Sequence, residues 1–416
     1  VNYPRTSVWA LLAGLLAATL VMTGCGSSSV PAPSAQQDDI KLSADYSGSG
    51  PGTLKSATKM PIVDRRLLRV AEVAAKITYL STSGIDGSVQ PVTGSVFEPV
   101  GTPPEGGWPV IVFGHGTTGV TADCGPSVSP NLYGTADAIR ALLGLGYVMV
   151  VPDYQGLGND KTYHPYLDAT TAGYNMIDAM RATKKLVPKA SDKWVAFGVS
   201  QGGQASWAAN ELNAKYSSPD LTLVGSVSVS PAADVTGLAD LAMNGALTPQ
   251  QSIAMVMILT SLKKEHPDLN LDDYRRGAAQ KNWTLLSSCS LDLTQKRLDV
   301  AKALSPDDLR PAGPAAADLL RGYLAQMSAL PKSPASAPML VLHGDADQVI
   351  PVAWTEAAVK RACDMGDVVA SFVAAGRGHG DFDPIAALDW IQKRFSGAPA
   401  DNTCNVDGGP SIRKGI

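Results

Sequence analysis

The stretch Trp194-Val195-Ala196-Phe197-Gly198-Val199-Ser200-Gln201-Gly202-Gly203 decides the reading of this chain. An apolar run, Trp194 to Phe197, reads as a buried strand, and Gln204 to Tyr216 reads as a helix. Ser200 therefore stands at a strand-to-helix turn, the setting that a nucleophile elbow requires. For its hydroxyl to project from the sheet edge the turn must be strained. Only a residue as small as glycine avoids collision at 198 and 202, so Gly198 and Gly202 are steric requirements of the turn.

Outward from that turn, short β-branched apolar runs alternate with helix-like segments. Strands are expected at 95–97, 110–113, 148–151, 194–197, 226–229, 339–342 and 368–372, and helices at 135–143, 170–186, 204–216, 355–362 and 384–395. This alternation predicts an α/β protein with a mainly parallel sheet covered by helices on both faces. Between residues 233 and 331 the strand signal disappears. Helical segments are expected there at 238–243, 249–264, 271–280, 306–309 and 315–327, the composition of a cap inserted between two strands. Its run Ile253 to Leu262 is apolar on nearly all sides, either a helix buried between cap and core or a wall that binds an acyl chain.

A serine hydroxyl is a weak nucleophile until a base takes its proton, and the chain has five histidines to supply one. His115 and His343 each close a strand in a His-Gly pair, His164 precedes Pro165 in a loop, and His266 falls in the cap. His379 remains, in the glycine-rich run Gly376-Arg377-Gly378-His379-Gly380 between the last strand and the last helix. A carboxylate must hold the imidazole in one tautomer. The run His343-Gly344-Asp345-Ala346-Asp347-Gln348-Val349-Ile350-Pro351 offers two, Asp345 and Asp347, of which the one not used would shape the turn. Donors for a developing oxyanion are expected at the N–H of Gln201 and, from the loop His115-Gly116-Thr117-Thr118-Gly119, at the N–H of Thr117, with Gly116 as the alternative. Asp153, in Asp153-Tyr154-Gln155-Gly156-Leu157-Gly158, reads as a second acid or as a residue that bonds its own turn.

The chain has 416 residues, 45% of them hydrophobic, enough for a full core, which excludes disorder and a disulfide-dense miniprotein. Thirty-four basic against 38 acidic side chains, with no cluster of five or more Lys/Arg, argue against a nucleic-acid partner. Arg5 precedes an apolar stretch from Val8 to Met22 that reads as a signal peptide over 1–24 and is too short to span a bilayer. The run Leu20-Val21-Met22-Thr23-Gly24-Cys25 resembles the lipobox of bacterial lipoproteins, in which the cysteine is acylated. The Ser/Pro/Ala/Gly-rich residues 25–55 then read as a tether. Export as a cell-envelope lipoprotein or secreted protein follows, with Cys25 the only membrane attachment. The other four cysteines fit two disulfides in an exported chain. Of three connectivities, Cys124–Cys289 with Cys363–Cys404 is expected, and their spacings offer no metal site.

The chain order Ser200, Asp347, His379 and the pattern His-Gly-x-x-Asp-x-Val-x-Pro around the acid resemble the α/β-hydrolase superfamily over about residues 60 to 396, and the resemblance implies Asp347 as the acid, with Asp345 shaping the turn. The loop 115–119, the turn 151–158, the helical insertion before the acid-bearing strand and the two-disulfide count resemble the secretory lipase family typified by fungal lipase A. That resemblance implies a cap over an acyl tunnel and hydrolysis of carboxylic esters, without a cofactor. The corresponding division is a core over 56–232 and 332–416 with a cap over 233–331. The expected activity is a serine lipase or esterase acting on a small-molecule, lipid or polymer ester, monomeric by default. The rival readings are an acyltransferase or peptidase using the same residues and a non-catalytic lipid- or polymer-binding lipoprotein.

Overall fold

The computed structural model describes residues 40–404 and 413–414. The expected signal peptide, Cys25 and the rest of the tether up to residue 39 lie outside the described residues. The strands are β1 (Leu54–Lys59), β2 (Ala71–Thr82), β3 (Val89–Pro99), β4 (Trp108–Gly114), β5 (Val148–Pro152), β6 (Ala190–Val199), β7 (Thr222–Val229), β8 (Met339–Gly344), β9 (Val369–Ala374) and β10 (Arg413–Lys414). They form one sheet in the order β1-β2-β3-β5-β4-β6-β7-β8-β9-β10. From β5 to β10 every neighbouring pair is parallel, whereas β1, β2 and β3 join antiparallel at one edge. This is the α/β-hydrolase fold, and β6 at its centre delivers Ser200.

Alternation along each strand divides the core. In β4, Val110 and Val112 face a layer that includes Met176, Ile177 and Met180 of helix α2 (Ala169–Leu186) and Ala205 and Ala209 of helix α3 (Gln201–Tyr216). Ile111 and Phe113 face the opposite layer, with Ile139 and Leu143 of helix α1 (Ala136–Gly144) and with Trp390 and Ile391 near the chain's end. The period of two thus buries both faces of the central strands, and helices cover each.

Strands β1 and β2, on the antiparallel side of the sheet, and the two-residue β10 were not among the expected ones. Strand β2 reads Ala-Glu-Val-Ala-Ala-Lys-Ile-Thr-Tyr-Leu-Ser-Thr, and only alternate residues from Ala75 onward are buried. Antiparallel strands with one wetted face lack the continuous apolar run that marks the central ones. The tether expected to run to residue 55 is corrected for the same reason. Leu54 already opens β1, and Leu42 N–H bonds Ala57 C=O while Lys59 N–H bonds Ile40 C=O.

Residues 230–338 separate β7 from β8 and contain no strand. Their main helices are α4 (Gly237–Met243), α5 (Pro249–Glu265), α6 (Thr294–Lys302) and α7 (Pro314–Ser328). Helix α6 was not expected. The expected helix at 271–280 is a 3₁₀ turn at Leu271–Asp273 followed by five helical residues, Gly277–Lys281, and 306–309 is a turn after Pro306. The cap has its own core, in which Met255, Val256, Ile258 and Leu259 of α5 meet Leu238, Leu320, Leu324 and Ile350. The apolar α5 is thereby a buried helix. Helices α8 (Val352–Asp364) and α9 (Pro384–Phe395) complete the second half of the core. A disulfide joins Cys124 of the core to Cys289 of the cap, and a second joins Cys363 at the end of α8 to Cys404. No helix among the described residues is long and apolar enough to cross a membrane.

One buried carboxyl couples this packing to pH. Glu211 of α3 is nearly fully buried, and its Oε2 accepts the N–H groups of Lys332 and Ser333 at 2.9 and 3.2 Å. Burial outweighs those bonds and pushes its carboxyl up to about 7. A raised folded-state pKa means that Glu211 favours the folded state below about pH 4.5 and loses that contribution as pH rises toward 7. Glu211→Gln is therefore expected to melt like the wild type near pH 4.5 and to be more stable at pH 8, by up to about 3 kcal/mol. Thermal melts of both proteins across this range check it; a difference independent of pH contradicts it.

Candidate active site

Strand β6 ends in a turn with no room for side chains at two of its positions. A Cβ added at Gly198 would collide with the carbonyl of Gly202, and one at Gly202 with the carbonyl of Gly114 on the neighbouring strand. Between them Ser200 adopts φ 60° and ψ −117°, a conformation rare for a residue with a side chain. Its backbone is over-determined. Ser200 N–H bonds Val229 C=O at 2.8 Å, and its own carbonyl accepts the N–H groups of Gln204 and Ala232 at 3.1 and 3.2 Å.

Ser200 Oγ lies 2.9 Å from His379 Nε2, and His379 Nδ1 lies 2.7 Å from Asp347 Oδ2. The three side chains come from β6, the loop after β9 and the loop after β8, and they meet above the carboxyl ends of the parallel strands. With a carboxylate at Nδ1, the imidazole carries its hydrogen there and leaves the Nε2 lone pair to accept the Ser200 hydroxyl. Such an alignment can take a proton from a nucleophile and return it to a leaving group.

Asp347 is buried and surrounded by donors. Its Oδ1 accepts the N–H groups of Val349 and Ile350 at 2.8 and 2.9 Å. Its Oδ2 faces both His379 and His343, whose Nε2 lies 3.0 Å away and 2.9 Å from Ile350 C=O. Burial alone would raise this carboxyl, but the hydrogen bonds from His343 and His379, the charge interaction with His379 and the backbone donors hold it well below the usual carboxylate range. Asp345 is exposed and accepts Gly376 N–H at 2.6 Å, while Ala346 N–H bonds Arg377 C=O, so this segment ties the acid loop to the histidine loop. Gly380 N–H, bonded to Ser230 Oγ at 3.2 Å, anchors the other side of His379.

The loop after β4 passes over the serine, since a Cβ at Gly116 would lie 3.9 Å from Ser200 Cβ. Thr117 is exposed there, with its hydroxyl 2.7 Å from Tyr166 OH. Gln201 is the first residue of α3, so its N–H has no partner within the helix and points out of the helix start. His115 is buried, with its ring between the carbonyls of Gly116 and Asp153 and packed on Tyr154 at 4.4 Å between centroids. Burial holds its imidazole below the ordinary range, and it does not reach the serine line. Asp153, also buried, is occupied by the hydroxyls of Thr93 and Ser127 and by Ser127 N–H, so instead of bonding within its own turn it ties that turn to β3 and to residues 126–128.

Two histidines set aside by the sequence reading belong to this neighbourhood. His343 shares the carboxylate of Asp347. His164 is buried and accepts Gln201 Nε2 at 3.0 Å on its own Nε2, while its Nδ1 bonds Gln155 C=O at 2.9 Å. Burial lowers its imidazole to about 3, which keeps it neutral. His343 opens the pattern His-Gly-x-x-Asp-x-Val-x-Pro already read around the acid, whereas His164 belongs to no motif and its one sequence signal is the Pro165 that follows it in a loop.

Residues 135–403 match the secretory lipase family. Lipase 6 of Candida albicans is 25% identical over 405 residues, covering 90% of this chain and 84% of that protein. Among solved structures, Candida antarctica lipase A in its closed state shares the fold at a TM-score of 0.67 and 17% identity, covering 94% of this chain and 91% of that one. The rice cell wall degrading esterase LipA of Xanthomonas oryzae does so at a TM-score of 0.61 and 22% identity, covering 84% and 97%.

The shared carboxylate oxygen gives a spectroscopic expectation. The His379 Nδ1–H bonded to Asp347 should give a proton resonance far downfield of the amides, and Asp347→Asn should remove it. His343→Leu takes one donor from Oδ2, strengthens the remaining bond and should move the resonance further downfield. An unchanged shift in that variant would mean that the His343 hydrogen is directed to Ile350 C=O alone.

Proposed function

The chain belongs to the secretory lipase family, and we propose that this ester hydrolase works through an acyl-enzyme on Ser200. The reading rests above all on the unbroken line from Ser200 Oγ through His379 to Asp347, at 2.9 and 2.7 Å. Ser200 Oγ attacks the ester carbonyl carbon while its proton passes to His379 Nε2. The carbonyl oxygen becomes an oxyanion, held by the N–H groups of Thr117 and Gln201. The intermediate collapses by breaking the carbon–oxygen bond to the alcohol, which leaves with the proton from His379. Water then attacks the acyl-serine, gives a proton to His379, and a second collapse frees the acid and restores the Ser200 hydroxyl. Asp347, ionised throughout, stabilises the imidazolium and fixes the ring.

Acyl esters are the proposed substrates. Lipases are named among the relatives, and a cap with a mainly apolar interior beside the serine suits an acyl chain better than a charged or sugar group. The family's secretory character supports export. Anchoring through an acylated Cys25, with the following Ser/Pro/Ala-rich residues as tether, completes the reading.

Hydrolysis of p-nitrophenyl esters from acetate to palmitate is the direct test. Wild-type turnover should disappear in Ser200→Ala with the melting temperature kept, because a small side chain at the sheet edge contributes little packing. Asp347→Asn should lower kcat by about 10³- to 10⁴-fold, since an amide cannot hold the same tautomer. Turnover retained in Ser200→Ala, or a wild type inert toward every ester, overturns the assignment.

A further inference from the structure

The tripeptide His164-Pro165-Tyr166, between β5 and α2, touches both residues whose N–H groups are assigned to the oxyanion. His164 Nε2 accepts the side chain of Gln201 at 3.0 Å, and Tyr166 OH lies 2.7 Å from Thr117 Oγ1. His164, Tyr166 and Gln201 are each at most 3% exposed. The tripeptide is itself gripped by the cap. Ser261 of α5, also 3% exposed, donates its hydroxyl to His164 C=O at 2.7 Å and accepts Tyr166 N–H at 2.9 Å. A single hydroxyl thus closes both ends of the turn. The next residue, Leu167, accepts Gln204 Nε2 at 3.0 Å, a further bond to the first turn of α3.

We propose that this turn, locked by Ser261, is the device that positions the oxyanion donors, with His164 setting Gln201 and Tyr166 setting Thr117. This deepens the acyl-enzyme reading and rests on it. An oxyanion hole acts only if its donors are fixed before the charge forms, within a few tenths of an ångström. The two donors come from loops far apart in sequence, and the tripeptide is the bracket between them. A neutral His164 is required, because protonation at Nε2 would set a donor against the Gln201 amide; deep burial keeps it neutral. Ser261 makes the cap a contributor to turnover, although it touches neither donor. His164, Tyr166 and Ser261 are positioning residues.

The experiment uses the whole protein carrying Tyr166→Phe, Ser261→Ala, His164→Leu or His164→Gln, with Ser200→Ala alongside. For each, kcat and KM on p-nitrophenyl butyrate, the melting temperature and the inhibition constant of a trifluoromethyl ketone are measured. The ketone adds to a nucleophilic serine and leaves a tetrahedral oxyanion, so it reports the donors directly. Tyr166→Phe and His164→Leu should lower kcat by about 10- to 30-fold with KM within about threefold, and the ketone should weaken by a similar factor. Ser261→Ala should show the same pattern at about five- to tenfold. His164→Gln, which keeps an acceptor toward Gln201, should recover part of what His164→Leu loses. If His164→Leu does not fold, Tyr166→Phe and Ser261→Ala decide the matter.

Unchanged kcat in folded variants, or a fall in kcat with ketone affinity intact, overturns the bracket while a dead Ser200→Ala leaves the acyl-enzyme reading standing. Turnover in Ser200→Ala overturns that reading itself.

Discussion

Everything at the site depends on the backbone of Ser200 being held where backbone rarely goes. A residue with a side chain at φ 60° costs of order 1–3 kcal/mol, and the turn persists only because its surroundings leave no alternative. Three backbone hydrogen bonds fix the residue from β7, from α3 and from the chain after β7. The glycines at 198 and 202 let β6, α3 and the end of β4 close to backbone contact. Once Ser200 is set, the position of every partner is constrained. The imidazole arrives from one side, and the donors proposed for the developing charge lie at the start of α3 and on the loop after β4.

The buried carboxylate of Asp347 is the second constraint, and it shows how charge is kept in a dry place. An isolated ionised carboxylate at such depth would take up a proton. Four donors prevent this: two backbone N–H groups on Oδ1, and His343 and His379 on Oδ2. A more basic carboxylate would draw the proton off the imidazolium, so the donors that satisfy the burial also suit the proposed task. His343 links structure and chemistry here. It is the penultimate residue of β8, the strand that carries the acid loop, and its ring reaches forward four residues to the acid itself.

Much of this could be read from residues alone, where the signal was local. Ser200 between Gly198 and Gly202 is legible because sterics demand glycine there, and the apolar runs of the central strands are legible because both faces are buried. Asp347 was separable from Asp345 only through the family resemblance, whose pattern puts the acid before Val349 and Pro351, and the structure gives the physical difference: Asp347 is buried in line with the imidazole, whereas Asp345 braces an exposed turn. What escaped was long-range. His164 reaches Gln201 across 37 residues, and Tyr166 reaches Ser261 across 95, separations no spacing rule covers. Strands β1 and β2 escaped for the opposite reason, since alternation around Glu72, Lys76 and Thr78 leaves too few apolar residues in a row.

The cap is tied to this machinery at separate points, which bears on how a substrate would enter. At its start, the capping pair of α5 holds the acid loop: Thr248 donates to Gln348 C=O at 2.9 Å and Gln251 to Val349 C=O at 3.0 Å. About 20 Å further along the same helix, at a rise of about 1.5 Å per residue, Ser261 grips the turn at His164–Tyr166. The Cys124–Cys289 disulfide pins a third point beside the loop that carries Thr117. A cap swinging as one body would break the first two and strain the third, disturbing the acid loop and the turn at His164–Tyr166 together. Opening by the segments of the cap outside α5 avoids that conflict, so α5 is better described as a strut of the site than as its door.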